Sequence, residues 1–174
     1  MKKIIFTILA VAILMVSCEK QDNENTYVSQ EQSIDTYITK LVSTYNYKVM
    51  RLNGSNRVVI SSGTSADSLE VGDSLYFHYS GYVFSSGKGS LFATNDTTVA
   101  KANNFVTDGA AQKVVLGNDG FISGLHNGLN GVRTGENCYI IFSGKYGYGN
   151  SVMFNLSRLS PLLFDITVDK IVKN

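Results

Sequence analysis

A chain of 174 residues with 44% apolar and 17% charged side chains suits one folded domain plus a targeting segment. The formal net charge is only +1 and no long basic run occurs, which excludes the basic footprint of a nucleic-acid-binding protein. Sixteen glycines against one proline favour strands and tight turns over a disordered tail.

The first element is the N-terminus. Lys2 and Lys3 precede "IIFTILAVAILMV", residues 4–16, an apolar run broken only by Thr7. That length fits the hydrophobic region of a signal peptide and is short for a bilayer span. "MVSCEK" follows, with small Ser17 directly before Cys18. The junction resembles a bacterial lipobox, with Met15 where leucine is commoner. The resemblance implies a signal peptide over 1–17, cleavage before Cys18, and acyl chains on that cysteine that anchor the chain to a membrane. Glu19, Asp22 and Glu24 resemble the acidic stretch of outer-membrane, surface-exported lipoproteins of Bacteroidetes-type Gram-negative bacteria. Cys138 is then left without an intramolecular partner. It sits in the alternating stretch "NCYIIF", where a buried structural thiol is expected.

Residues 18–28 read as the lipidated cysteine and a polar tether. Apolar residues at 34, 37, 38, 41, 42 and 45 predict a helix over about 29–45, opened by a capping box of Ser29 and Gln32. Its apolar stripe must pack on the folded domain. The period then changes to two. "YKVMRL" and "RVVIS" predict strands around the turn "NGSN". Residues 29–70 thus hold the N-terminal helix and first strands, and 71–174 form the main domain.

"GDSLYFHYSGYVF" is the longest alternation, with Leu75, Phe77, Tyr79 and Val83 on one face. "KVVLG", "NCYIIFS" and "LLFDITVDKIV" predict further strands, with a half-solvated antiparallel sheet as the result. Between them, Phe121, Ile122, Leu125 and Leu129 stand at helical spacing among glycines. They predict a short helix that covers the sheet's apolar face. Residues 85–112 are rich in Gly, Ser and Asn and predict a long excursion.

Familiar chemistries find little support. His78 and His126 are far apart and His126 has no carboxylate at ligand spacing, so no metal is expected. No phosphate-binding glycine loop and no nucleophile elbow occur, and no cofactor is implied. What stands out is a set of aromatics near turns: Tyr79, Phe92, Phe121, Tyr146, Tyr148 and Phe164. On residue chemistry alone they fit either a plain aromatic core or an apolar pocket with a few polar handles.

Four segments in order resemble the FK506-binding-protein (FKBP) type of peptidyl-prolyl isomerase, over residues 71–172. "VGDSLYFHYSGYVF" is similar to the family strand carrying His-Tyr-Thr-Gly. "VVLGNDGFISGLHNGLNGVRTGE" is similar to its Leu-Gly, Val-Ile, Gly-Trp and Gly-x-Glu run. "GKYGYGN" resembles Ala-Tyr-Gly, and "SPLLFDITV" resembles the closing Leu-x-Phe-Asp-Val strand. The resemblance implies an α+β fold, in which a curved antiparallel sheet wraps around one short helix, here with an additional N-terminal helix. It implies Tyr148, Phe92 and Tyr79 as catalytic residues and Phe121, Ile122, Leu125 and Phe164 as substrate-binding residues. It further implies proline-containing peptides or unfolded exported proteins as partners.

The departures from the family are specific. Ala93 stands where an aspartate usually follows the pocket phenylalanine, and Asp96 is three residues further on. Gln112 replaces an aromatic, Leu156-Ser157-Arg158 replaces Ile-Pro-Pro, and the loop after Phe92 is longer than in compact members. Two readings follow: a lipid-anchored isomerase and folding helper, its activity weakened or lost through Ala93, or a non-catalytic protein-binding module of the same fold.

Overall fold

The computed structural model describes residues 2–118, 120–153 and 155–174, with side chains from Lys20 onward. The side chain of Cys18 and those of segment 1–17 lie outside the described residues. Helix α1 spans Lys2–Tyr45. It therefore includes residues 20–28, which the sequence reading takes as a tether. That segment is polar but contains neither glycine nor proline, so nothing in it breaks a helix. Ser29 and Gln32 lie inside the helix rather than at a capped start, and Ser33 Oγ donates to the Ser29 carbonyl at 3.0 Å. The expected apolar stripe does pack on the domain: Ile34, Ile38 and Leu41 are buried against Val58, Phe84, Ile141 and Leu163. Tyr37 meets Phe84 edge-on at 5.5 Å.

The expected hairpin follows. Strands β1 (Lys48–Leu52) and β2 (Ser55–Ser61) pair around Asn53 and Gly54, whose φ angles are 47° and 84°. Two left-handed residues in a two-residue loop match the twist of the flanking strands, and an Asn-Gly pair supplies them at low cost. Strand β3 (Ser74–Phe84) runs on to β4 (Lys88–Thr94), a short helix α2 (Thr97–Ala102) and β5 (Gln112–Val115). Helix α3 (Ser123–Leu129) comes next, then β6 (Asn137–Phe142), a 3₁₀ turn (Gly144–Tyr146) and the long closing strand β7 (Leu162–Val172). The strands form one seven-stranded antiparallel sheet of order β1-β2-β6-β7-β3-β4, with β5 also paired to β3. This is the α+β architecture expected from the sequence.

The excursion 85–112 is more ordered than expected. Its first part is β4, which lacks clean alternation because Leu91 and Phe92 are adjacent. Asp96 opens α2 by accepting from the Thr98 and Val99 amides at 2.8 and 3.0 Å, a side-chain N-cap. The outer edge of β3 is shared: β5 pairs with Ser74–Phe77 and β4 with Ser80–Phe84. Asn95 bridges the gap between them. Its Oδ1 accepts from the Tyr79 N–H at 2.6 Å, and its Nδ2 donates to the Phe77 and Ala110 carbonyls at 3.2 and 2.9 Å. The buried backbone is thus satisfied where no strand is available.

The two faces of the sheet are both used. One carries the main core, where Leu75, Phe77, Ile140, Phe142, Leu162, Ile166 and Val168 close on Leu125 and Leu129 of α3. The alternation predicts a solvated second face, yet α1 covers part of it and buries Ile141 and Leu163. Helix α3 sits tight on β6 through two glycines four residues apart. A Cβ at Gly124 would lie 2.3 Å from the Phe142 ring, and one at Gly128 would lie 2.2 Å from Ile140. The far end of α3 is held by Arg57 of β2. Its Nη1 donates to the Gly128 and Asn130 carbonyls at 2.9 and 2.7 Å, and its Nη2 donates to Gly131 at 3.2 Å. These are carbonyls that a helix end leaves without intrahelical partners.

Candidate functional site

Between α3, β3, β4 and the loop after β6 lies a cleft of about 630 Å³, a size typical of small-ligand sites. All seven pocket residues named from the sequence line it. Tyr79 comes from the middle of β3, Phe92 from β4 and Phe164 from β7. Phe121 and Ile122 lead into α3, Leu125 comes from its first turn, and Tyr148 follows the 3₁₀ turn. Strand pairing explains the convergence. Tyr79 lies opposite Ile166, and Gly81 lies opposite both Phe164 and Ala93. Gly81 gives the Phe92 ring its space.

The aromatic walls brace one another. Phe164 meets Phe92 at 5.7 Å with perpendicular rings, Tyr79 at 6.2 Å, and stacks on Phe142 at 5.9 Å. Edge-to-face contacts of this kind fix ring orientation as well as burying area. Phe92, Leu125 and Phe164 are 9% exposed or less, so the cleft is bounded by packed walls.

Its polar handles are few. Burial pushes the phenols of Tyr79 and Tyr148 above their usual value of 10.0, and for Tyr148 the neighbouring Tyr79 adds to this. Both therefore stay protonated and able to donate. Neither hydroxyl is bonded to a protein group among the described residues, and neither is the Ile122 N–H, which precedes the first turn of α3. These three donors stand free at a cleft whose lining is mostly apolar.

Three lining residues carry no mark in the sequence reading, as site residue or as departure: Phe77, Gly120 and Met153. Phe77 shares the face of Tyr79 on β3, so alternation alone points to it. Met153 lies in the irregular stretch after Tyr148, where no periodicity marks it. Gln112 and Ala93, which the sequence marks as departures, also line the cleft. Asp96 does not stand in for the missing carboxylate, because it is occupied as the cap of α2. Tyr146 packs on the core but does not line the cleft. Cys138 is fully buried and burial pushes its thiol up, which makes it a structural residue.

Residues 66–169 match the FKBP-type peptidyl-prolyl cis-trans isomerases. The chain belongs to that family. Solved FKBP-type structures share its fold. The three FKBP domains of wheat FKBP73 align with a TM-score of 0.62 at 13% identity, over 74% of this chain and 52% of the wheat chain. FkpA from Escherichia coli aligns at 0.59 and 18% identity, over 95% of this chain and 70% of that one. The N-terminal domain of FKBP42 from Arabidopsis thaliana aligns at 0.58 and 16% identity, over 72% and 93%. This chain thus spans about half the length of the wheat structure. Among curated proteins, none matches it. Its cleft combines aromatic walls with Ala93 and Gln112.

On β3, between cleft residues Phe77 and Tyr79, His78 ties the excursion to the sheet. Its Nε2 lies 3.0 Å from the Gly109 carbonyl and its Nδ1 lies 2.9 Å from the Asp169 carboxylate. Both partners are acceptors, so the doubly protonated ring satisfies both. The Gly109 carbonyl, and then Asp169, raise its pKa above the usual 6.5 against an opposing effect of burial. With the folded value raised, the clasp stabilises fully below 6.5 and is lost as pH rises through the folded value. NMR titration of the imidazole is expected to give a pKa above 6.5, and a value at or below 6.5 would show that the clasp carries no charge.

Proposed function

We propose that this domain catalyses cis–trans isomerisation of X–Pro bonds in proline-containing peptides and unfolded exported proteins. The observation that carries the reading is the set of unspent donors, Tyr148 O–H, Tyr79 O–H and Ile122 N–H, at a cleft walled by Phe92, Leu125 and Phe164. The reaction needs no acid or base. Rotation about the X–Pro bond passes through a twisted amide that has lost its conjugation, against a barrier of about 18–20 kcal/mol for a peptide bond. The planar amide is charge-separated and the twisted one less so. A dry apolar cleft therefore disfavours the ground state more than the transition state. Tyr148 and Ile122 anchor substrate carbonyls. They accelerate the reaction to the extent that they fit the twisted geometry better than the planar one.

The test is exchange NMR on a peptide with Leu or Phe before Pro. The domain is expected to accelerate exchange, and Tyr148→Phe to lower the acceleration roughly two- to tenfold, the worth of one hydrogen bond. No acceleration at high protein concentration would sink the catalytic reading. It would favour the second one, a non-catalytic binding module, for which the uncharged rim at Ala93 speaks.

The N-terminus supports a place for this activity. We infer that lipid on Cys18 anchors the domain to the cell envelope of a Gram-negative bacterium, at the outer membrane and exposed at the surface. The apolar run 4–16 and the Ser17–Cys18 junction support this. Cells fed labelled palmitate are expected to label the protein, and Cys18→Ser to abolish the label. Equal labelling of both would refute the anchor.

A further inference from the structure

Helix α1 lies outside the segment 66–169 that matches the family, yet it reaches the loop that carries Tyr148. Gln30 makes the contact with a single amide. Its Oε1 accepts from the Gly144 N–H at 2.8 Å, and its Nε2 donates to the Leu159 carbonyl at 2.6 Å. Gly144 and Leu159 are the two ends of that loop. Flanking contacts point the same way: Ser143 Oγ donates to Glu31 at 3.1 Å, and Lys145 pairs with Glu24 at 3.3 Å.

The neck of the loop is narrow. The Leu159 N–H donates to Gly149 at 2.7 Å, and a Cβ on Gly144 would lie 2.4 Å from the Leu159 oxygen. Leu159 itself has φ 58°, a conformation that leucine rarely adopts. The Gln30 amide holds this neck from outside. Beyond the neck the loop delivers Tyr148 and Met153 to the cleft. A glutamine suits the position because one rigid group offers a donor and an acceptor together.

We propose that Gln30 is a positioning residue for the cleft, which makes α1 part of the substrate site as well as the link to the N-terminus. The proposal rests on the isomerase reading of that cleft. Gln30 touches no substrate. It fixes the loop from which the Tyr148 hydroxyl reaches a substrate carbonyl, so its loss weakens substrate placement and leaves the apolar walls intact.

The test compares Gln30→Glu and Gln30→Met in the full chain. Glutamate keeps the acceptor for Gly144 but loses the donor to Leu159, and methionine loses both at similar length. Amide exchange at Gly144 is expected to quicken about tenfold in Gln30→Met and less in Gln30→Glu, in line with one lost hydrogen bond. KM for a Leu-Pro peptide is expected to rise about three- to tenfold in the same order, with kcat within about twofold. A lower unfolding midpoint with KM unchanged would overturn the proposal, as would unaltered Gly144 exchange in Gln30→Met. If the unmodified chain isomerises nothing, the catalytic reading fails separately. Peptide affinity and the Tyr148 ring resonances then decide: both altered in Gln30→Met supports the positioning role, and both unchanged refutes it.

Discussion

Arg57→Met is expected to cost about 3–5 kcal/mol of folding stability, the usual penalty for breaking a buried ion pair from one side. Arg57 and Glu136 are 1% and 4% exposed, and Arg57 Nε lies 3.3 Å from Glu136 Oε1. That contact falls short of hydrogen-bond geometry, so the guanidinium's strongest bonds are to the carbonyls at the end of α3. Methionine fills much of the same volume but leaves a buried carboxylate without a counter-charge and three carbonyls without a donor. Adding Glu136→Gln removes the uncompensated charge and is expected to restore part of the loss. Urea unfolding measures both variants. A single variant within about 1 kcal/mol of the parent would show that the pair contributes little, as exposed pairs do.

Much of the fold was legible because most of its elements have one period. The alternation in "GDSLYFHYSGYVF" and "LLFDITVDKIV" marks β3 and β7, the two longest strands, and helical spacing marks the packed part of α1. The cleft was legible through residues whose order resembles the family, and all seven converge. What stayed hidden has physical reasons. Strand β4 breaks alternation at Leu91–Phe92, because a bulged edge strand shifts register between Gly81 and Tyr82 of its partner. Asn95 acts through its side chain as a substitute for backbone, which no pattern reports. Arg57 looks like an ordinary strand residue in "RVVIS", and its burial depends on carbonyls some seventy positions away. Gln30 reads as one polar residue in a polar segment, and only the fold brings Gly144 and Leu159 to it.

The described residues that line the cleft include no carboxylate, histidine, lysine or arginine. The phenols of Tyr79 and Tyr148 are raised above 10.0. On the isomerase reading, these lining residues act through shape and polarity, and the largest single contribution should come from the walls. Phe92→Ala is the sharpest probe of that. The ring is braced edge-on against Phe164 and seated over Gly81, which has no side chain to fill the space. Truncation leaves a void open to water beside the reacting amide. Water solvates the planar amide and removes the penalty that the dry wall imposes. A loss of about 2 kcal/mol of transition-state stabilisation is expected, roughly thirtyfold in kcat/KM. Exchange NMR on a Leu-Pro peptide measures it, and Phe92→Leu, which keeps the wall apolar and nearly filled, should lose far less. If Phe92→Ala and Phe92→Leu fall equally, the aromatic ring acts by geometry specific to it. If neither falls, the cleft wall takes no part in the reaction.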